Sequence, residues 1–171
     1  MRVYLIGYMA SGKSNLGRLL AANLGYKFID LDYLFEERYR ISVLDFFEKY
    51  DEGAFRTIER SLLLETTVIE DVIVSTGGGT PCSFDNMDVI KNSGVSIYLF
   101  WNVPALVRRL ALVKRKRPLL KNIRPEEMEE KVTSHLTQRE FYYNQADYKV
   151  NGENVDVASL ADMVKNHERP G

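Results

Sequence analysis

The sequence predicts a three-layer α/β fold in which helices cover both faces of a five-stranded parallel sheet. Short apolar runs alternate along the chain with segments whose apolar residues recur at helical spacing, and this alternation is typical of such folds. The runs are apolar throughout, as expected for parallel strands that are buried on both faces. We expect residues 1–171 to form a single domain, because the length suits one core and the chain has no repeat or low-complexity linker.

The individual elements are assigned from local signals in chain order. Leucines at helical spacing predict a first helix, which ends at Gly25 as its C-cap. Between the second and third strands the chain is expected to be mostly helical, with a break at 51–53. Pro104 and Pro125 are expected to open two later helices, and a last helix follows the fifth strand. The five strands are expected at RVYLIG, YKFIDLD, DVIVSTGGG, VSIYLFW and DYKVNG.

Composition and charge limit the classes of function. Hydrophobic residues make up 45% of the chain, charged residues make up 27%, and the net charge is -1, as in an ordinary globular protein. We therefore expect neither nucleic acid nor a membrane as a partner. A single cysteine, Cys82, excludes an internal disulfide, and the first residues lack a signal-peptide pattern. These features predict a cytoplasmic protein, which we expect to be a monomer.

The segment GYMASGKS, residues 7–14, follows the first strand and has the phosphate-binding spacing G-x-x-x-x-G-K-S. Gly7 permits the tight turn, and Gly12 allows backbone N–H groups to approach phosphates closely. Lys13 supplies a positive charge for the β- and γ-phosphates, and the hydroxyl of Ser14 is the usual Mg²⁺ ligand. The spacing therefore predicts a P-loop fold that binds a nucleotide and Mg²⁺. The predicted nucleotide-binding residues of this loop are Ala10, Ser11, Gly12, Lys13, Ser14 and Asn15.

Two aspartates and a glycine triplet lie at the C-terminal ends of other predicted strands. Asp30 and Asp32 flank Leu31, so both carboxylates would point to the same side of an extended backbone. One of them could hold the metal while the other reaches an acceptor hydroxyl; alternatively, Asp32 caps the helix that follows. Ligands of parallel sheets bind at the C-terminal ends of the strands. We therefore expect the P-loop, this pair and Gly77–Gly79 to lie close together.

Six motifs in this order resemble the shikimate kinase family over nearly the whole chain: GYMASGKS, DLD, FRTIE, STGGGTP, RPLL and LTQREFYY. The resemblance implies a P-loop kinase fold and transfer of the γ-phosphate of ATP to the 3-hydroxyl of shikimate, in chorismate and aromatic amino-acid biosynthesis. It also implies the site residues. By this resemblance Asp32 would contact the shikimate hydroxyls, and Arg56 and Arg139 would hold the shikimate carboxylate. The floor of the substrate pocket would be lined by Gly77, Gly78 and Gly79. On the nucleotide side, Asp30 would be the acid next to Mg²⁺, and Arg117 would cover ATP from a mobile lid.

The predicted catalytic residues are thus Lys13, Asp32 and Arg117, and Arg109 is expected to face the adenine. We place the lid at about 113–124, within a basic and aperiodic stretch, and the substrate-binding helical region at about 32–61. Nucleic-acid binding is the other interpretation of the basic stretch, although the nearly neutral chain favours a phosphate-covering lid.

Several alternatives stay open at this point. From the sequence pattern alone, Arg56 and Arg139 could be ordinary surface arginines, and only the resemblance reverses that interpretation. The chain could also be a related kinase of the gluconate type, or a nucleotide-binding regulator without turnover. The family usually has glycine at the position of Ala10 and threonine at the position of Asn15. We expect these two departures to alter the affinity for the nucleotide more than they alter the assignment to the family.

Overall fold

The computed structural model describes residues 1–113, 118–120 and 122–167, and within these ranges it has the predicted three-layer architecture. The strands are β1 (Arg2–Ile6), β2 (Lys27–Asp30), β3 (Val72–Ser75), β4 (Val95–Phe100) and β5 (Tyr148–Asn151). The helices are α1 (Lys13–Leu24), α2 (Leu31–Tyr39), α3 (Val43–Lys49), α4 (Glu52–Thr66), α5 (Asn86–Ser93), α6 (Val103–Leu112), α7 (Met128–Tyr143) and α8 (Val157–Lys165). Short 3₁₀ turns lie at Thr80–Cys82, Pro118–Leu120 and Pro125–Glu127.

All five strands pair in parallel, in the order β2-β3-β1-β4-β5. Ser75 at the end of β3 is in register with Leu5 of β1 on one side and with Asp30 of β2 on the other. The chain reverses its strand order on the two sides of β1, so the loop after β1 lies at the topological switch point where ligands bind in such sheets. The sheet therefore brings the P-loop, Asp30 and the segment after Ser75 to one edge.

The central strand is buried on both faces, as its apolar sequence predicts. Alternate residues of β1 enter two separate cores, with Val3 and Leu5 in one and Tyr4 and Ile6 in the other, and all four are fully buried. Helices α1 and α8 cover the first face. Residues of helices α2 to α7 cover the second face, and this face carries the helices that border the site.

The structure corrects three expected boundaries. Strand β2 ends at Asp30, and Asp32 lies in the first turn of α2 rather than on extended backbone. The side chain of Asn102 caps α6 by accepting a hydrogen bond from the N–H of Ala105, so this helix begins one residue before the predicted Pro104. Pro125 opens a 3₁₀ turn that leads into α7. In the described part of the chain, no helix is both long enough and apolar enough to cross a bilayer.

Candidate active site

The P-loop has the backbone conformation that its glycines predict. Gly7 and Gly12 adopt φ angles of 141° and 95°, which L side chains rarely allow. A Cβ atom on Gly7 would also lie 2.8 Å from the carbonyl oxygen of Leu99. Ala10 adopts a φ of 62°, also in the left-handed region. The departure at Ala10 therefore places a methyl group where the backbone favours glycine, a conformational cost that the sequence did not reveal.

Lys13 is 7% exposed and folds over its own loop. Its ammonium donates hydrogen bonds of 2.8 Å to the carbonyl oxygens of Gly7 and Tyr8, and one of 3.3 Å to the hydroxyl of Ser11. Gly12 precedes α1 and has no side chain to cap its first turn, and a helix N-terminus of this kind favours anions. A positive charge and a helix N-terminus therefore meet at the same loop.

Ser14 and Asp30 are in direct contact, because the Ser14 hydroxyl donates a hydrogen bond to one carboxylate oxygen of Asp30. The other oxygen of Asp30 accepts from the backbone N–H groups of Asp32 and Tyr33, at 3.1 and 3.3 Å. The N-cap of α2 is thus Asp30 and not Asp32, which corrects the alternative interpretation of Asp32. The carboxylates of Asp30 and Asp32 do border one cavity, but a strand-to-helix turn brings them there rather than strand alternation.

A first cavity, which we call the nucleotide cavity, lies beside the P-loop and encloses about 740 Å³, part of it open to solvent. Its walls include Lys13, Ser14, Asp30 and Arg109. The other predicted loop residues at its walls are Ala10, Gly12 and Asn15. Ser11 is buried and borders a separate cleft, discussed below. The structure thus groups the predicted phosphate and metal residues of the P-loop and β2, except Ser11, around one space.

A second cavity, which we call the acceptor cavity, encloses about 430 Å³ and shares Met9, Asp32, Gly77 and Gly78 with the nucleotide cavity. Its further lining includes the polar residues Arg56, Glu59 and Arg139 and the apolar residues Val43, Phe47, Phe55 and Leu119. Asp32 therefore stands at the border of the two cavities. This is the position required of a group that serves an acceptor next to a phosphate donor.

Arg56 is fixed in the wall of the acceptor cavity. It is 9% exposed, which excludes the interpretation as a surface arginine. One terminal nitrogen donates a 2.6 Å hydrogen bond to Glu59, and two other nitrogens donate to Glu52 at 3.1 and 3.2 Å. Burial lowers the pKa of Arg56, but the carboxylates of Glu59 and Glu52 outweigh that effect, so the pKa is raised and the guanidinium stays charged.

Arg139 presents a buried donor that has no partner. Its Nη1 atom is the one buried side-chain nitrogen or oxygen without a hydrogen bond among the described residues. The guanidinium carbon lies 5.4 Å from the centre of the Tyr8 ring, a cation–π contact that holds the group beside the loop. A buried donor left unpaired costs stability, so it is expected where a ligand supplies the acceptor.

The three glycines after β3 allow these charged groups to approach the backbone. A Cβ atom on Gly77 would lie 2.5 Å from a carboxylate oxygen of Glu59, and one on Gly79 would lie 2.6 Å from Cζ of Arg56. On Gly78 it would lie 3.3 Å from Nη1 of Arg139. The triplet therefore lines the acceptor cavity with backbone that carries no side chain, and each glycine makes room for one polar group.

Some functional neighbours were missed by sequence reasoning. Thr80 donates a 2.6 Å hydrogen bond to Glu59 and so helps to hold the partner of Arg56. Glu52 lies four residues before Arg56 on α4, a spacing that could have identified the pair. The hydroxyl of Tyr8 hydrogen-bonds to Nδ1 of His135 at 2.9 Å, a contact between distant segments that no local pattern signals.

The structure describes only part of the predicted lid at about 113–124. Arg117 lies outside the described residues, as do residues 114–116 and 121 of this segment. Leu119 belongs to the described turn Pro118–Leu120 and lines the acceptor cavity beside Phe47. A described residue of the predicted lid segment thus lies at the acceptor cavity.

Comparisons with known proteins agree with this arrangement. A family model of shikimate kinase matches residues 9–167. A shikimate kinase of Parabacteroides distasonis is 44% identical over 165 residues, which cover 96% of this chain and 95% of the relative. The crystal structure of a shikimate kinase from Bacteroides thetaiotaomicron has a TM-score of 0.88 and 35% identity and covers 96% of both chains. A shikimate kinase from Acinetobacter baumannii in complex with shikimate has a TM-score of 0.85 and 32% identity, and covers 96% of this chain and 90% of that one.

These matches confirm the predicted fold class, the resemblance and the prediction of an ATP-dependent phosphotransferase. They support neither the gluconate-type kinase nor the non-catalytic regulator. The chain belongs to the shikimate kinase family.

Proposed function

We propose that this chain transfers the γ-phosphate of ATP to the 3-hydroxyl of shikimate, giving shikimate 3-phosphate and ADP for aromatic amino-acid biosynthesis. The observation that carries this proposal is the buried, unpaired Nη1 of Arg139 in a cavity that borders the P-loop. Arg56 lies in the same wall, and two guanidinium groups are suited to one carboxylate. The relative from Acinetobacter baumannii was solved with shikimate, which supports this choice of acceptor.

The residues of the nucleotide cavity fit ATP and Mg²⁺. The N-terminus of α1 and the ammonium of Lys13 would hold the phosphates, with Lys13 exchanging its carbonyl partners for phosphate oxygens. Ser14 and Asp30 offer adjacent oxygen ligands, the donor type that Mg²⁺ prefers. When bound there, Mg²⁺ would neutralise charge on the phosphates. Among the described residues no larger cluster of metal-ligating side chains exists, and Mg²⁺ in kinases commonly uses one or two carboxylates plus phosphates and water.

The residues of the acceptor cavity would orient the polyol acid. Arg56 and Arg139 would bind its carboxylate, so that a hydroxyl is directed toward Asp32 at the border of the cavities. Asp32 would accept a hydrogen bond from that hydroxyl and fix the attacking oxygen in line with the γ-phosphate. Gly77–Gly79 would let the backbone lie against the ring. Phosphoryl transfer depends mainly on such positioning and on charge stabilisation.

Two roles complete the proposal. Arg109 borders the nucleotide cavity and also the cleft beside Ser11, and we assign it to the adenine side of the nucleotide. Arg117 would close over the phosphates from the lid at about 113–124 and exclude water during transfer. Leu119, which lines the acceptor cavity, would link lid closure to the presence of the acceptor.

The experiment is an ADP-release assay with ATP and Mg²⁺ and with shikimate, quinate or gluconate as acceptor. We expect rapid ADP release with shikimate and little with gluconate, and slow release without an acceptor. The Lys13→Ala variant serves as the inactive control, since the lysine charge is needed in the transition state. Rapid release with gluconate instead would favour the gluconate-type kinase. ATP binding without acceptor-dependent release would favour the non-catalytic regulator.

A further inference from the structure

The indole of Trp101 joins three segments that border the nucleotide side of the molecule. Trp101 directly follows β4 and is the single tryptophan of the chain. It is half-buried and borders a cleft of about 520 Å³, part of it open to solvent, which shares no lining residue with the acceptor cavity. Ser11, Arg109, Gly152 and Val155 line the same cleft. None of the motifs in the sequence marks this residue.

The first contact of Trp101 is with the P-loop. Its Nε1–H donates a 2.9 Å hydrogen bond to the carbonyl oxygen of Ser11. Ser11 follows Ala10, whose φ of 62° is unfavourable for a residue with a side chain. A hydrogen bond to the next carbonyl helps to hold that conformation against relaxation. The indole thus supports the loop at the position where this chain lacks the usual glycine.

The second contact is with Arg109. The guanidinium carbon lies 4.3 Å from the centre of the Trp101 ring, which is close for a cation–π pair. The Nε of Arg109 donates a 2.6 Å hydrogen bond to the carbonyl oxygen of Ala10. The guanidinium is therefore held between the indole and the P-loop, at the edge shared by the nucleotide cavity and the cleft. An arginine on α6 without these contacts would sample many rotamers.

The third contact is with the loop after β5. A Cβ atom on Gly152 would lie 2.5 Å from Cδ1 of Trp101, so only glycine allows the indole to approach the backbone there. The N–H of Gly152 donates a 2.8 Å hydrogen bond to the carbonyl oxygen of Phe100. The loop 152–156, which leads from β5 to α8, is therefore tied to the end of β4 and fitted to the indole.

From these three contacts we infer that Trp101 is a positioning residue for nucleotide binding. It fixes Arg109, the P-loop and the loop after β5 as one preformed wall for the purine base of ATP. The inference rests on the proposed function only in taking ATP as the nucleotide. Trp101 acts through Arg109 and the loops, and its removal should weaken nucleotide binding without affecting the acceptor cavity, which it does not line.

The kinetic test compares Trp101→Ala and Trp101→Phe with wild type. Trp101→Ala should raise KM for ATP about tenfold, because one hydrogen bond and one cation–π contact are lost. Trp101→Phe keeps a ring beneath Arg109 but loses the donor to Ser11, so it should show a smaller increase. Gly152→Ala should raise the same constant by displacing the indole. The KM for shikimate should stay within about twofold in all three variants.

The matched control is Phe100→Leu. Phe100 precedes Trp101 but contacts Tyr98 and Lys149, so the substitution should lower stability and leave KM for ATP unchanged. The inference is overturned if Trp101→Phe and Gly152→Ala both leave KM for ATP unchanged. It is also overturned if every variant, Phe100→Leu included, alters the constants for ATP and shikimate alike, because that result indicates a general structural role.

A spectroscopic readout on the unmodified protein is independent of whether any variant folds. Trp101 is the single tryptophan, so its emission should change saturably when ATP or ADP is added and should change little with shikimate alone. Emission that is insensitive to saturating nucleotide would contradict the inference. If ATP alters the emission but shikimate causes no ADP release, the proposed function fails while the inference about Trp101 stands.

Discussion

Replacement of Gly79 by alanine tests how the floor of the acceptor cavity fixes Arg56. Gly79 has a φ of -95°, which alanine adopts without strain, so the substitution acts through the added methyl group alone. That methyl would lie 2.6 Å from Cζ and 2.9 Å from Nη1 of Arg56. An ordinary carbon–carbon contact is about 3.5 Å, so the guanidinium must move by about 1 Å.

The size of the effect follows from what that movement disrupts. The 2.6 Å hydrogen bond from Arg56 to Glu59 joins a buried, charged pair that the displaced guanidinium cannot keep in its present geometry. The displaced group also no longer points to the substrate carboxylate. Loss of one charge-assisted hydrogen bond costs about 1.5–3 kcal/mol, so we expect Gly79→Ala to raise KM for shikimate about ten- to a hundredfold.

The assay is steady-state ADP release with varied shikimate and, separately, varied ATP, together with thermal unfolding. The KM for ATP should change little, because Gly79 does not line the nucleotide cavity. Gly53→Ala is the matched control, since Gly53 lies near the start of α4 and its added methyl would meet only the Asp51 side chain, at 3.2 Å. An unchanged KM for shikimate in Gly79→Ala would refute the reasoning that the glycine positions Arg56.

Three further predictions concern titratable and charged side chains at or beside the site. Asp30→Asn keeps a residue that caps α2 but should raise the Mg²⁺ concentration that gives half-maximal activity. Asp32→Asn should lower kcat/KM for shikimate and leave that Mg²⁺ concentration unchanged. Identical defects in the two variants would contradict the division of roles between these aspartates. Arg139→Ala should raise KM for shikimate about ten- to a hundredfold and should leave KM unchanged for a shikimate analogue that lacks the carboxylate. Equal increases for both acceptors would contradict the proposal that Arg139 binds the carboxylate. Burial, aided by the charge of Arg139, lowers the pKa of His135 from 6.5 to about 4. The contribution of His135 to the free energy of unfolding is therefore complete above pH 6.5 and is lost as the pH falls toward 4. His135→Gln should therefore remove about 1–2 kcal/mol of the acid-induced fall in the free energy of unfolding, after allowance for solvent screening. Urea unfolding at pH 4–7 measures this, and free energies of unfolding that fall in parallel for wild type and variant would contradict it.

The strand pattern and the P-loop were predictable from the sequence because both depend on local signals. The apolar runs predicted five strands, and glycine spacing predicted the turn between β1 and α1. The expectation that every strand is buried was wrong for β2 and β5, which form the edges of the sheet and are partly exposed. The end of β2 was predicted two residues too late, because the side chain of Asp30 caps α2 and so ends the strand. Asp32 consequently lies in the first turn of α2, although it still lies near the P-loop, as predicted.

Only part of the surroundings of the arginines follows from local patterns. Glu52 and Glu59 lie at helical spacing from Arg56 on α4 and so could be predicted as its partners, whereas Thr80 holds Glu59 from a different segment. The unpaired donor of Arg139 and the contacts of Trp101 with Ser11 and Gly152 depend on packing between residues far apart in the chain. Family resemblance implied the roles that we propose for Arg56 and Arg139, and the structure shows one buried guanidinium held by two carboxylates and one with an unpaired donor.

The most direct test of the account is identification of the product that forms from ATP and shikimate. Incubation with ATP, Mg²⁺ and shikimate should give a single phosphate ester on the 3-hydroxyl, which phosphorus and proton NMR of the reaction mixture can locate. Arg56 and Arg139 in the acceptor cavity and Asp32 at the border of the two cavities should select that one hydroxyl. Absence of a phosphorylated product, or phosphate distributed over several hydroxyls, would contradict the proposal that this site orients shikimate for transfer.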